Sequence, residues 1–147
     1  MQYDQQVIDQ AIEMLSSTVN EPTEFINNSK RAKDLCTLNL CAEKNEVFGV
    51  VFLNNQHGII AFEKLFFGTI NSSAVHPRVV IQRSLAHNAA AVILTHNHPS
   101  GVLKPSLADL DITSRLKTAL AYVDVRVIDH IIVAGVNTHS FEDHGEL

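Results

Sequence analysis

The sequence predicts a mixed α/β domain, a central mixed sheet flanked by helices, on three observations. Segments with apolar residues at helical spacing alternate with segments rich in β-branched and aromatic residues. The run Ala89-Ala-Ala-Val-Ile-Leu94 is continuously apolar, as expected of a strand buried on both faces. Finally, 147 residues that are 46% hydrophobic and 18% charged can bury a full core without covalent staples.

Each element follows from local pattern. Val7, Ile8, Ala11, Ile12 and Leu15 recur at helical spacing, so residues 5–16 read as an amphipathic helix that Glu21-Pro22 breaks. A second helix follows Ser29, with Ala32, Leu35, Cys36 and Leu40 on one stripe, and ends near Lys44-Asn45. From Glu46 the period changes. Val47, Phe48, Val50, Val51, Phe52 and Leu53 form a strand, Asn54 to Gly58 a turn, and Ile59 to Ile70 a returning strand. Pro77, after His76, suits a first helical turn, where its missing N–H costs nothing; Val80, Ile81, Leu85 and Ala89 supply the buried stripe. The apolar run is the next strand and leads straight into Thr95-His96-Asn97-His98-Pro99-Ser100-Gly101. After Lys104-Pro105 a helix starts at Ser106, carrying Leu107, Leu110, Leu116, Leu120 and Val123, and strands at Val125 to Gly135 and Thr138 to Phe141 close the chain. The order is α-α-β-β-α-β-α-β-β. Residues 1–28 are expected to form an N-terminal helical segment and residues 29–147 one compact unit.

Charge excludes some functions. With 11 Lys+Arg against 16 Asp+Glu, the net charge is -5, opposite to the basic footprint of a protein that neutralises phosphates, so direct DNA binding is not expected. No apolar run approaches the roughly 18–20 residues of a spanning helix, and Met1-Gln-Tyr-Asp-Gln-Gln lacks a secretory pattern. A cytoplasmic protein without membrane association is expected. Cys36 and Cys41 read as reduced, largely buried thiols, since a zinc pair would need two more ligands from elsewhere.

Eight histidines are many for a small acidic chain, and two of them are arranged. His96 and His98 are separated by one residue at the end of the buried strand; if extended geometry persists there, both imidazoles share a face. Two neutral imidazoles favour a borderline ion such as zinc over magnesium or calcium. Asp109 lies in the first turn of the next helix, where a carboxylate is favoured and rigidly mounted. Two His and one Asp leave a fourth tetrahedral position for water, the open arrangement of a catalytic zinc site. Such chemistry needs a base, for which Glu46 is the candidate and Glu43 the nearby competitor, and Ser106 is placed to donate to a developing oxyanion. Competing structural explanations stand beside these. His96 to Gly101 also reads as a polar turn, and Ser106-Leu-Ala-Asp109 as a helix capping box. Ser100 has no Asp–His pair to activate it as a nucleophile.

These residues match a family. Glu46, then His96-Asn97-His98, seven residues, Ser106, two residues and Asp109 reproduce the E…H-x-H-x7-S-x2-D pattern of the JAB/MPN (JAMM) metalloproteases. The chain resembles their RadC-like branch more closely, through Gly68-Thr69, His76-Pro77-Arg78, Ala90 to Ile93, His96 to Gly101, Pro105-Ser106, Asp109, Thr113, Asp129-His130 and Ser140-Phe141. The resemblance spans roughly residues 30–145. It implies a cytidine deaminase-like architecture, zinc held by His96, His98 and Asp109, Glu46 as general acid/base, Ser106 as oxyanion stabiliser, and a peptide or protein-conjugate substrate cleaved at a peptide or isopeptide bond. It also implies a short form lacking the N-terminal helix-hairpin-helix-like region of longer members, and Val79 stands where the family usually has Glu after His-Pro-Arg. The branch name suggests an alternative: a non-enzymatic accessory protein of DNA repair or recombination. A nucleobase deaminase is set aside because H-x-E and P-C-x-x-C are absent. His130 is left as a packing or metal-supporting residue, and His57, His76, His87, His139 and His144 as surface, turn or capping residues.

Overall fold

In the computed structural model, which describes residues 4–18, 22–71 and 73–147, the elements follow the expected order. They are α1 (Gln5–Thr18), α2 (Ser29–Leu40), β1 (Val47–Leu53), β2 (Ile59–Phe67), α3 (Pro77–Ala86), β3 (Ala91–Asn97), α4 (Leu107–Ala121), β4 (Arg126–Ala134) and β5 (Asn137–Ser140). Glu21, half of the expected break after the first helix, and the packing of Leu15 lie outside the described residues.

The strands form one sheet in the order β2-β1-β3-β4-β5. β1 is antiparallel to both β2 and β3, β3 and β4 run parallel across the α4 crossover, and β5 returns antiparallel on β4. Strand alternation divides the interior into two cores. Phe48, Val50, Phe52, Val92 and Leu94 pack with Val80 of α3 and with Ile112, Leu116 and Leu120 of α4. Val47, Val51, Leu53, Ala91 and Ile93 pack on the opposite face with Ala32, Cys36 and Leu40 of α2. Because β3 is buried on both faces throughout, its next residue in the Val92, Leu94 series, His96, is driven beneath α4.

Several expectations change in detail. β3 extends to Asn97 rather than Leu94, and β2 stops at Phe67 because Gly68 turns the chain at a φ of +97°. Leu85 is 57% exposed, since the inward face of α3 is carried by Val80 and Ser84, one turn apart; the Ser84 hydroxyl donates to the Val80 carbonyl. Leu107, at the exposed start of α4, is likewise outside the core. α1 forms, yet Val7, Ile8 and Ile12 of its apolar stripe remain exposed. Only one of the two thiols is buried: Cys36 is enclosed, and burial pushes it up to about 12, whereas Cys41 caps α2 and is exposed. Among the described residues neither cysteine belongs to a group that could hold a metal ion. No helix among the described residues is long and apolar enough to cross a membrane.

Candidate metal centre

His96, His98 and Asp109 meet at the carboxyl end of β3, beneath the first turn of α4, and they form a group that could hold a metal ion. The two Nε2 atoms are 3.0 Å apart; His96 Nε2 is 3.2 Å from Asp109 Oδ1, and His98 Nε2 is 3.1 Å from Asp109 Oδ2. Both His96 and Asp109 are buried, while His98 is partly open to solvent.

The outer ring nitrogens decide what the inner ones are. His98 Nδ1 donates to the Val102 carbonyl at 2.6 Å, a contact made by the tight turn in which Gly101 takes a φ of +86° and donates its N–H to the His98 carbonyl. His96 Nδ1 lies 2.7 Å from His130 Nε2. His130 is fully buried, and burial, helped by the neighbouring His96, holds it well below the usual imidazole range; it is therefore neutral. The remaining links then have one consistent direction. His96 Nδ1–H donates to His130 Nε2, His130 Nδ1–H donates to Thr113 Oγ1 at 2.5 Å, and the Thr113 hydroxyl donates to the Asp109 carbonyl at 2.7 Å. With both Nδ1 atoms committed as donors, both Nε2 atoms present lone pairs to each other and to a carboxylate. Such a set repels itself unless a cation sits among its members.

The electrostatics agree. Without a metal, a proton on an imidazole can serve as that cation: burial alone would raise the Asp109 carboxyl, but hydrogen bonds donated by His96 and His98 when Nε2 carries a proton reverse this and hold it far below the usual carboxylate range. His98 is raised, chiefly by its hydrogen bond to Asp109 and with a smaller contribution from the Glu46 charge. The centre is thus organised to hold positive charge.

The helix cap leaves Asp109 an oxygen with which it could hold a metal ion. Ser106 Oγ accepts from the Asp109 N–H at 3.0 Å, and Asp109 Oδ2 accepts from the Ser106 N–H at 2.9 Å, completing the capping box. Oδ1 is left to His96, and the Ser106 hydroxyl proton stays available because its oxygen acts only as acceptor in the cap.

Register brings Glu46 to the same place. Phe48 pairs with His96, so Glu46 at the mouth of β1 falls beside His98. Its Oε2 accepts the Ile70 N–H at 2.7 Å and its carbonyl accepts the Gly68 N–H. Glu43, the competitor, pairs instead with Lys64 at 2.7 Å. Beside Glu46 a cleft of about 620 Å³ opens, lined by Glu43, Glu46, Phe67, Thr69 and Pro99 among others, but by none of His96, His98 and Asp109.

Three residues that support this centre carried little signal of their own in the sequence. Asn97 reads there as a turn former, yet it is buried; its Oδ1 accepts the Val47 N–H at 2.7 Å and its Nδ2 donates to the carbonyls of Asn45 and Glu43, stapling the Glu46 segment to β3. The sequence left His130 between packing and metal support and offered Thr113 only within the family pattern; parallel register sets His130 opposite Leu94, on the face that carries His96. Ser100 accepts the Val102 N–H within the turn.

The chain is similar to known proteins along nearly its whole length. A model of the RadC-like JAB domain matches residues 26–146. UPF0758 protein YeeS of Escherichia coli (strain K12) is 49% identical over 141 residues, covering 96% of this chain and 95% of that protein. UPF0758 protein YkfG of the same strain is 45% identical over 144 residues, covering 98% and 91%. A UPF0758 protein of Nitrosococcus oceani is 63% identical over 102 residues, which is 69% of this chain but 46% of that protein. The chain thus spans nearly all of the two shorter relatives and about half of the longer one.

Proposed function

The chain belongs to the RadC-like JAB domain family, and from that premise we propose that it is a zinc-dependent metallohydrolase that cleaves a peptide or isopeptide bond. The observation that carries this reading is the convergence of His96 Nε2, His98 Nε2 and the Asp109 carboxylate, at 3.0 to 3.2 Å from one another, with both Nδ1 atoms engaged on the outer side. Two nitrogens and one oxygen suit zinc and leave a coordination position open for chemistry. Zinc bound there supplies Lewis-acid polarisation of a carbonyl and water that ionises near neutral pH.

The chain's own residues do the rest. Glu46, fixed through Oε2 by the Ile70 amide, takes the proton from the attacking water with its other oxygen and delivers it to the leaving amine. Ser106 donates its hydroxyl proton to the oxyanion, while its oxygen stays fixed by the Asp109 amide. The cleft beside Glu46, with 68% exposed Phe67 on its wall, receives the polypeptide on one side of the scissile bond. The net charge of -5 favours such a substrate over a nucleic-acid backbone.

The test is hydrolysis of peptide and isopeptide-linked model substrates by zinc-loaded protein. Wild type should turn over and Glu46→Gln should keep zinc while losing about 10²–10⁴-fold in rate, the usual contribution of a positioned acid/base. Equal rates for the two proteins would overturn the assignment of Glu46, and a zinc-loaded wild type inert toward every such bond would overturn the hydrolase.

A further inference from the structure

We propose that the carboxyl end of the chain carries a second, weaker site for a borderline divalent cation of the zinc class, formed by His139, His144 and Glu146. Among the described residues these three make up the second group whose ligand atoms converge, all within 4.8 Å of one another. They repeat the donor set of the first centre, two imidazoles and one carboxylate.

The convergence is built in by the fold. His139 lies in β5, paired with Ile132 of β4, so its ring is mounted on the sheet. The Phe141 carbonyl accepts the N–H groups of both His144 and Glu146, at 3.2 and 2.9 Å, which curls the last turn back over β5. Gly145, with a φ of +66°, permits that reversal. The imidazoles of His139 and His144 then stack with centroids 4.0 Å apart, and His139 Nε2 lies 2.6 Å from Glu146 Oε1.

The nitrogen that is free to bind is also specified. His144 Nδ1 donates to the Ser140 carbonyl at 2.8 Å, which leaves its Nε2 as a lone pair. His98 uses the same device, with Nδ1 on a backbone carbonyl four residues away. A proton shared between His139 and Glu146 satisfies those two groups and leaves the His144 lone pair to solvent; a metal ion engages all three. The ligand atoms must spread somewhat from the 2.6 Å contact to admit an ion, which an exposed turn allows. Exposure also makes the site weaker than the buried centre: the His139 and Glu146 side chains are 13% and 27% exposed. Binding there would pin the last turn against Phe141, whose ring stacks on His130 at 4.5 Å, behind the first centre.

Zinc titration of the full chain, read by calorimetry and by the imidazole ¹⁵N resonances, tests this. Wild type should bind two equivalents, one tight and one weaker, with the weaker one moving the His139 and His144 Nε2 resonances. His144→Ala and Glu146→Gln, both at the surface, should each weaken the second equivalent by at least the roughly tenfold that losing even an outer partner costs. Both should leave the first untouched, whereas His98→Ala should remove the first and spare the second, so failure of either site is visible separately. A single equivalent in wild type, or a second one that persists in both His144→Ala and Glu146→Gln, would overturn the proposal.

Discussion

Replacing His130 with leucine removes a side chain that touches no substrate and yet should weaken metal binding. His130 is fully buried and accepts from His96 Nδ1–H while donating to Thr113. Leucine offers neither function, so the His96 Nδ1–H loses its acceptor inside the protein at a cost of about 1–3 kcal/mol. Part of that loss can be relieved by rotating His96 or flipping its tautomer, and either movement takes the Nε2 lone pair away from Asp109, 3.2 Å distant. Partners of this kind are typically worth about 10–100-fold in metal affinity, or roughly 1.4–2.8 kcal/mol. His130→Gln supplies a carbonyl oxygen near the position of Nε2 and should recover most of the affinity. Zinc competition against a chromophoric chelator measures the effect, and urea unfolding of the metal-free proteins reports the stability cost independently. A folded His130→Leu protein with wild-type zinc affinity would refute the argument that this relay fixes the ligand.

Other perturbations separate the remaining parts. Asn97→Ala leaves the Val47 N–H without its acceptor and should cost about 1–3 kcal/mol in urea unfolding, with turnover falling more than zinc affinity because Glu46 is loosened. Ser106→Ala removes the helix cap, for about 0.5–2 kcal/mol of stability. It should also lower turnover by up to about 10²–10³-fold through the lost oxyanion donor, while zinc stays bound. In the metal-free protein the raised His98 contributes stability that is complete below the unfolded imidazole value and is lost as pH rises through the folded one. The depressed Asp109 contributes above the unfolded carboxylate value and loses that contribution as pH falls through its folded one, so their pairing acts most strongly between roughly pH 4 and 6.5. Chelator-treated protein should therefore show a higher urea midpoint at pH 6 than at pH 8, and His98→Gln should shrink that difference; an unchanged difference would count against the pairing.

Much of this was legible in the sequence because it rests on local periodicity. The apolar run ending at Leu94 marks a doubly buried strand, the His-x-His spacing places two imidazoles on one face, and Ser-x-x-Asp marks the helix start that carries Asp109. The parts that could not be read depend on which elements lie against which. That His130 backs His96 follows from the parallel register of β3 and β4, and that Glu46 rather than Glu43 falls opposite His98 follows from the pairing of Phe48 with His96. Asn97 looks like a turn residue until the β1 and β3 ends are brought side by side. The burial of Leu85 was misjudged because several stripes fit one short helix, and packing against the sheet selects Val80 and Ser84. Cys41 illustrates the same limit, since five positions along a helix turn its side chain about 140° away from the enclosed Cys36.

The central claim is that His96, His98 and Asp109 hold a catalytic zinc ion. Anomalous diffraction at the zinc edge from crystals grown with one equivalent of zinc measures this directly. The account predicts one dominant peak bonded to His96 Nε2, His98 Nε2 and Asp109 at about 2.0–2.2 Å, with Glu46 one water away. A peak elsewhere in the molecule, with these three side chains uncoordinated, would contradict it.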